Sequence, residues 1–212
     1  MRRFRGERLT APVSAGLLRL HHFRSQIETV MARVLTINGS PSPTSRTAAL
    51  LGDVVRRLRA EGHDVETVNV RDLPARELLH AQADAKEIAL AAESVAKAEG
   101  IVIGTPIYKA AYSGLLKAFL DLLPQYAFER KTILPLATGG SVAHVLALDY
   151  GLRPVLSALG ARHIVGSYFV LDKTLRVAAD GLVELDPEIE SKYLEAINAF
   201  TDSLERHAAA RS

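Results

Sequence analysis

The ten residues from Asn38 to Thr47, "NGSPSPTSRT", set five hydroxyl side chains, Ser40, Ser42, Thr44, Ser45 and Thr47, around one fixed cation, Arg46. Gly39 permits a tight turn, and Pro41 and Pro43 stiffen it. Where such a loop feeds a helix, the free N–H groups and the positive end of the helix dipole favour an anion. These groups suit a phosphate monoester. Neither common phosphate fingerprint is present: no G-x-x-x-x-G-K-[ST] occurs, and no G-x-G-x-x-G follows this strand, which argues against a nucleoside triphosphate or a tightly docked dinucleotide pyrophosphate here. A turn that merely caps its helix is the alternative, although capping requires no arginine.

A second stretch, "TPIYKAAYSG" (105–114), follows the apolar run "GIVIG". Thr105-Pro106 imposes an extended bend, and Tyr108 then falls on the rim of a sheet. Proline, isoleucine and tyrosine with few polar groups make a surface for a planar ring. Lys109 can snorkel or set a cation beside that ring. Both tyrosines, Tyr112 above all, have a competing use in a core or an oligomer contact.

Other chemistries find little support. There is no cysteine, no histidine pair with zinc-like spacing and no G-x-S-x-G elbow. No metal site and no catalytic side chain are expected. His144 lies close to "TGGS", where it either meets a ligand or only begins a helix. Asp121 and Asp149 stand alone on helices, as solvated or paired carboxylates do.

The elements that must hold these stretches alternate. Apolar, β-branched runs at 33–38, 64–70, 100–105, 131–138 and 163–171 predict strands. Helical patterns lie between them: 45–61 ending at Gly62, 84–99 stopping at Gly100, 113–123 before Pro124, and roughly 142–159 ending at Gly160. A last helix opens with Asp186 as cap and Pro187 at its first position. Such alternation predicts right-handed βαβ units and a mostly parallel sheet, with ligands beyond the carboxyl ends of the strands. The helix over 142–159 is apolar around much of its circumference and contains Pro154, whose ring clashes with the Tyr150 carbonyl. A local shift to i→i+5 bonding would relieve that clash by a π-bulge; a plain proline kink is the alternative.

"TINGSPSPTSRT", "TPIYKAAYSGLLKAFLDLLP" and "LPLATGGSVAHVLALDYGLRPVLSALGA" together resemble the NADPH-dependent FMN reductases, over about residues 33–170. More narrowly they resemble the flavin reductase of two-component alkanesulfonate monooxygenase systems. The resemblance implies an α/β, flavodoxin-like fold: a five-stranded parallel sheet in the order 2-1-3-4-5, with helices on both faces. It implies that Ser40, Ser45, Arg46 and Thr47 hold the FMN phosphate. Pro106, Ile107 and Tyr108 would border the isoalloxazine, and Gly139, Gly140 and Ser141 would approach its other edge. Glycine suits that edge, since only a backbone without Cβ lets N–H groups come so close to a ring. Tyr150 would be the inserted residue of a π-helix at a subunit interface, with a role in flavin release. FMN and NADPH are the implied cofactors, with hydride passing to flavin N5. The implied partners are an FMNH2-dependent monooxygenase and further copies of the chain, as a homotetramer (dimer of dimers) or a homodimer.

Composition narrows the field from outside. The chain has 212 residues, 48% hydrophobic and 24% charged, as in an ordinary globular domain. Its formal charge is +2, yet residues 1–30 carry six arginines against Glu7 and Glu28, a net of +4, so residues 31–212 hold −2. That leaves no basic footprint for nucleic acid, and no apolar run approaches the roughly 20 residues of a membrane helix. The expected setting is cytoplasmic. Residues 1–30 are expected to be an extension outside the fold, either a disordered arm or an over-long start, with a targeting or membrane-surface role as the alternative; the domain is expected to span 31–212. Two rival readings stay open. One is a flavoprotein that keeps FMN and reduces quinones, azo dyes or metal oxyanions. The other is a flavodoxin-type electron carrier, which would ordinarily be far more acidic than −2.

Overall fold

The computed structural model describes residues 31–209, so the expectation for residues 1–30 lies outside the described residues. Strand β1 (Arg33–Asn38) leads into helix α1 (Arg46–Ala60), whose buried residues recur three or four apart at Leu50, Leu51, Val54 and Leu58. Gly62, at φ +90°, ends that helix: its N–H bonds to the Arg59 carbonyl and that of His63 to the Leu58 carbonyl. Strand β2 (Asp64–Asn69), short helix α2 (Ala75–Leu79) and α3 (Lys86–Lys97) follow. Then come β3 (Gly100–Tyr108), β4 (Ala111–Tyr112), α4 (Gly114–Leu120) and β5 (Thr132–Gly139).

The chain next passes through a π-helix (Leu148–Leu152) into α5 (Arg153–Ala158). After β6 (His163–Ile164) and β7 (Tyr168–Leu171), a hairpin of β8 (Leu175–Val177) and β9 (Val183–Leu185) precedes the closing helix α6 (Pro187–Ala209). Pro187 begins that helix, as expected, and the Asp186 carbonyl accepts from the N–H groups of Ile189 and Glu190.

The path β2-β1-β3-β5-β6 is parallel throughout, which is the flavodoxin-like order 2-1-3-4-5 once β4 and β7, which lie off this path, are set aside. Two features add strands, to seven in all. The fifth strand is broken into β6 and β7, both parallel to β5, and β4 folds back antiparallel on β3. The break has a cause in β5. The Ile133 carbonyl accepts from Val165, so Pro135, two residues on, faces the same side with no N–H to offer. Pairing resumes only at Leu136 with Tyr168.

Helices cover both faces of the sheet. On one, α1 and α6 bury Leu50, Val54, Tyr193 and Phe200; on the other, α3, α4 and α5 bury Ile88, Phe119 and Leu156. Gly100 is a packing glycine that opens β3, not the end of a helix: a Cβ there would stand 2.7 Å from the Phe200 ring.

The π-helix falls where Pro154 predicts one, with its i→i+5 bond made to Leu148, two residues before the Tyr150 carbonyl that the proline ring would crowd. The Arg153 N–H reaches back five residues to the Leu148 carbonyl, and Pro154 then sits in the first turn of α5, where no N–H is required.

Candidate functional site

Three loops at the carboxyl ends of β1, β3 and β5 form the site. After β1, Gly39 is pinned between its neighbours: its N–H donates to the Gly104 carbonyl at 2.8 Å, and its carbonyl accepts from the Ser113 hydroxyl. Ser40 is buried, with its hydroxyl exchanging hydrogen bonds with the backbone of Ser42, so it shapes the turn from below. Ser45 caps α1, accepting from the Ala48 N–H at 3.0 Å. The Ala49 N–H returns to the Ser45 carbonyl, which leaves the N–H groups of Arg46 and Thr47 at the open end of the helix. The Thr47 hydroxyl is buried and shares a 2.7 Å hydrogen bond with the Thr138 hydroxyl, tying α1 to β5. Arg46 is exposed and makes no ion pair or side-chain hydrogen bond with any described residue.

After β3, the "YKAAY" stretch is a two-residue hairpin. Lys109 and Ala110 both adopt positive φ, +50° and +64°, and Tyr108 pairs with Ala111 across them. A turn of that hand matches the strand twist, but it is built here without glycine or asparagine. It carries β3 beyond the expected end at Thr105 and lifts Tyr108, 52% exposed, onto the rim above buried Pro106 and Ile107. Tyr112 is half-buried beside Gly151 of the π-helix, and its burial raises the phenol above its ordinary pKa.

After β5, Gly139 has a neighbour already: a Cβ there would stand 3.0 Å from the Phe169 ring. Gly140 is exposed, with the Asp172 carboxylate 3.9 Å from where its Cβ would lie. Ser141 accepts from the Ala143 N–H and so shapes its own turn, and the nearby His144 Nδ1 is buried without a partner among the described residues.

These loops enclose a cavity of about 500 Å³. Ser45, Arg46 and Thr47 line one part of it; Pro106, Ile107 and Tyr108 another; Gly139 and Thr138 a third. Ser40, Gly140 and Ser141 are not on its wall, and Tyr150 stands apart on the π-helix, 79% exposed. The hairpin contributes Leu175, Arg176 and Val177, and the turn before it contributes Asp172; the sequence pattern singled out none of these. A three-residue strand of ordinary composition carries no signal for such a role. A larger hollow of about 720 Å³ lies at the opposite ends of the strands, where Lys131 donates to the carbonyls of Ala96 and Ala98. Ligands of open parallel sheets bind at the carboxyl ends, which selects the smaller cavity.

Cations and free N–H groups at one part of that cavity and an apolar, aromatic rim at another suit a phosphorylated planar molecule. Among the described residues no cluster of histidine and carboxylate side chains fits a metal ion.

Comparison with known proteins agrees with this chemistry. The family model described as NADPH-dependent FMN reductase matches residues 32–176. An FMN reductase (NADPH) of Pseudomonas putida is 42% identical over 174 residues, 82% of this chain and 88% of that protein. Its counterpart from Escherichia coli is 40% identical, over 82% of this chain and 91% of its own length. Among solved structures, the apo form of the NADH:FMN oxidoreductase EmoB superposes with a TM-score of 0.75 at 41% identity, covering 82% of this chain and 90% of that one.

Proposed function

The chain belongs to the NADPH-dependent FMN reductase family, and we propose that it reduces FMN with NADPH and hands the reduced flavin to a separate FMNH2-dependent monooxygenase, of the alkanesulfonate-desulfonating kind. The observation that carries this reading is the single cavity joining the open end of α1 to the Pro106–Tyr108 rim. The N–H groups of Arg46 and Thr47, the Ser45 cap and the Arg46 guanidinium would hold the flavin phosphate. Pro106, Ile107 and Tyr108 would border the ring system, with Gly139 and the exposed turn Gly140–Ser141 at its other edge. FMN, when bound, supplies the redox chemistry by accepting a hydride equivalent from the nicotinamide, so the protein's task is to position two rings and exclude water.

The open character of the site supports flavin as a traded substrate. Tyr108 is exposed at the rim, and the exposed apolar residues Val142, Val145, Leu146 and Tyr150 run along the adjoining segment. Apolar side chains so arranged suit a contact with further copies of the chain, as a dimer or a dimer of dimers, with the π-helix at the seam and Tyr150 governing release.

The test is to let the protein turn over NADPH and FMN without oxygen and then separate it from small molecules by ultrafiltration. Reduced FMN in the filtrate is expected. Reduced flavin that stays with the protein and passes electrons only to added quinone would favour the FMN-retaining alternative.

A further inference from the structure

The β8–β9 hairpin brings a second guanidinium to the cavity. Arg176 lines it together with Arg46, although the two lie on elements far apart in sequence. Both are exposed, and neither makes an ion pair or side-chain hydrogen bond with a described residue. Register places Glu184 across from Arg176, yet no ion pair joins them. The other charged group on the wall is Asp172.

That balance is informative. A phosphate monoester carries close to two negative charges at neutral pH. Asp172 matches the charge of Arg46, so without Arg176 the charged side chains of the wall would sum to zero. With Arg176 they sum to +1, in addition to the positive end of α1.

The mounting of the hairpin suits a clamp. Leu175 is buried in the cluster that holds Leu50, Leu51 and Val54 of α1, which fixes the base of β8. The Asp186 N–H bonds to the Thr174 carbonyl at one end, and the Ala178 N–H to the Leu182 carbonyl at the other. Arg176, next to the buried anchor, is exposed.

We propose that Arg176 is the second phosphate-binding cation of the flavin site, so that the β8–β9 hairpin acts as a strap that the FMN phosphate fastens. This rests on reading the cavity as the FMN site. It gives the reductase a means of telling FMN from flavins without a phosphate, placed outside the loop that follows β1.

The test is a fluorescence titration of the full chain with FMN and with riboflavin, using the parent, Arg46→Ala, Arg176→Ala and Arg176→Lys. Arg176→Ala is expected to raise the Kd for FMN roughly tenfold to a hundredfold, with riboflavin changed by no more than about twofold. Arg176→Lys, which keeps the charge, should fall between parent and alanine variant. Hydrogen exchange on the parent gives an independent reading: residues 172–185 should be protected by FMN and much less by riboflavin. Discrimination lost in Arg46→Ala but kept in Arg176→Ala, or equal protection by both flavins, would overturn the strap while leaving the cavity assignment intact. Discrimination unaffected by either alanine variant would overturn the cavity assignment and the strap together.

Discussion

Asp53 sits on the buried side of α1 and accepts from Arg56 at 2.7 Å, Arg57 at 2.6 Å and the Tyr193 hydroxyl at 3.0 Å. The last of these ties α6 to α1, and burial beside that carboxylate pushes the Tyr193 phenol well above its ordinary value of 10.0. Because the two arginines remain to hold Asp53, Tyr193→Phe should cost about 1–2 kcal/mol, read as a lower urea midpoint at unchanged slope. Ala110 offers the opposite case. Its φ of +64° is strained for any residue with a Cβ, so Ala110→Gly should stabilise the fold by up to about 1 kcal/mol, seen as a raised urea midpoint. Residues of this kind were unevenly legible in the sequence. Ser45, Arg46 and Thr47 announce themselves by clustering hydroxyls and a cation on a stiffened turn, and they line the cavity together. The partner of Thr47 was not legible, since Thr138 lies 91 residues away in sequence. The positive φ values of Lys109 and Ala110 were hidden for another reason: neither is a residue type that advertises such a turn.

At the scale of elements, Pro154 signalled correctly that the helix around it would be irregular, because a missing N–H and a ring clash act locally. The π-helix over Leu148–Leu152 holds one residue more than an α-helical path needs, and Tyr150 in the middle of it is exposed. Deleting Tyr150 should let the segment run as a regular α-helix and repack the apolar face around it. The variant is expected to purify yellow and to lose multiple-turnover NADPH oxidation with free FMN, while a single reduction of bound flavin survives. Sedimentation alongside flavin content and steady-state rate checks this. A colourless, fully active variant of the parent's oligomeric state would leave Tyr150 with no part in release. Pro135 was the signal overlooked. A proline inside "KTILPLAT" removes one ladder donor, and the neighbouring strand, read as continuous over 163–171, parts into β6 and β7 beside it. The β8–β9 hairpin was invisible for want of length: three residues per strand show no periodicity to read.

Over the whole molecule, the alternating pattern made right-handed βαβ units and a parallel sheet legible, whereas the order of the strands came from the family resemblance. The sheet is closed from both faces, and its stability depends on histidines at the edge away from the cavity. His63 is buried and its Nδ1 accepts from the Ala32 N–H, which requires the neutral ring. His163 meets the His207 ring edge-on at 4.7 Å and shares a hydrogen bond with Ser203 of α6. Desolvation lowers both His63 and His163 below the usual 6.5, and His163 is lowered further by His207 and Arg206. The unfolded chain therefore binds these protons first as pH falls. Their contribution is complete above the unfolded value and is lost as pH drops through it toward the lower folded values. The Tm should fall between about pH 7.5 and pH 5.5, and His163→Asn should flatten part of that slope. None of this bears on the cavity proposed to hold FMN, which lies at the other end of the sheet. The most direct test there is the rate of NADPH oxidation by desalted, colourless protein as FMN is titrated in, with riboflavin in parallel. The account predicts no oxidation without flavin, saturation with FMN at a low KM, and a clearly higher KM for riboflavin. A rate independent of added FMN, or identical KM values for FMN and riboflavin, would contradict it.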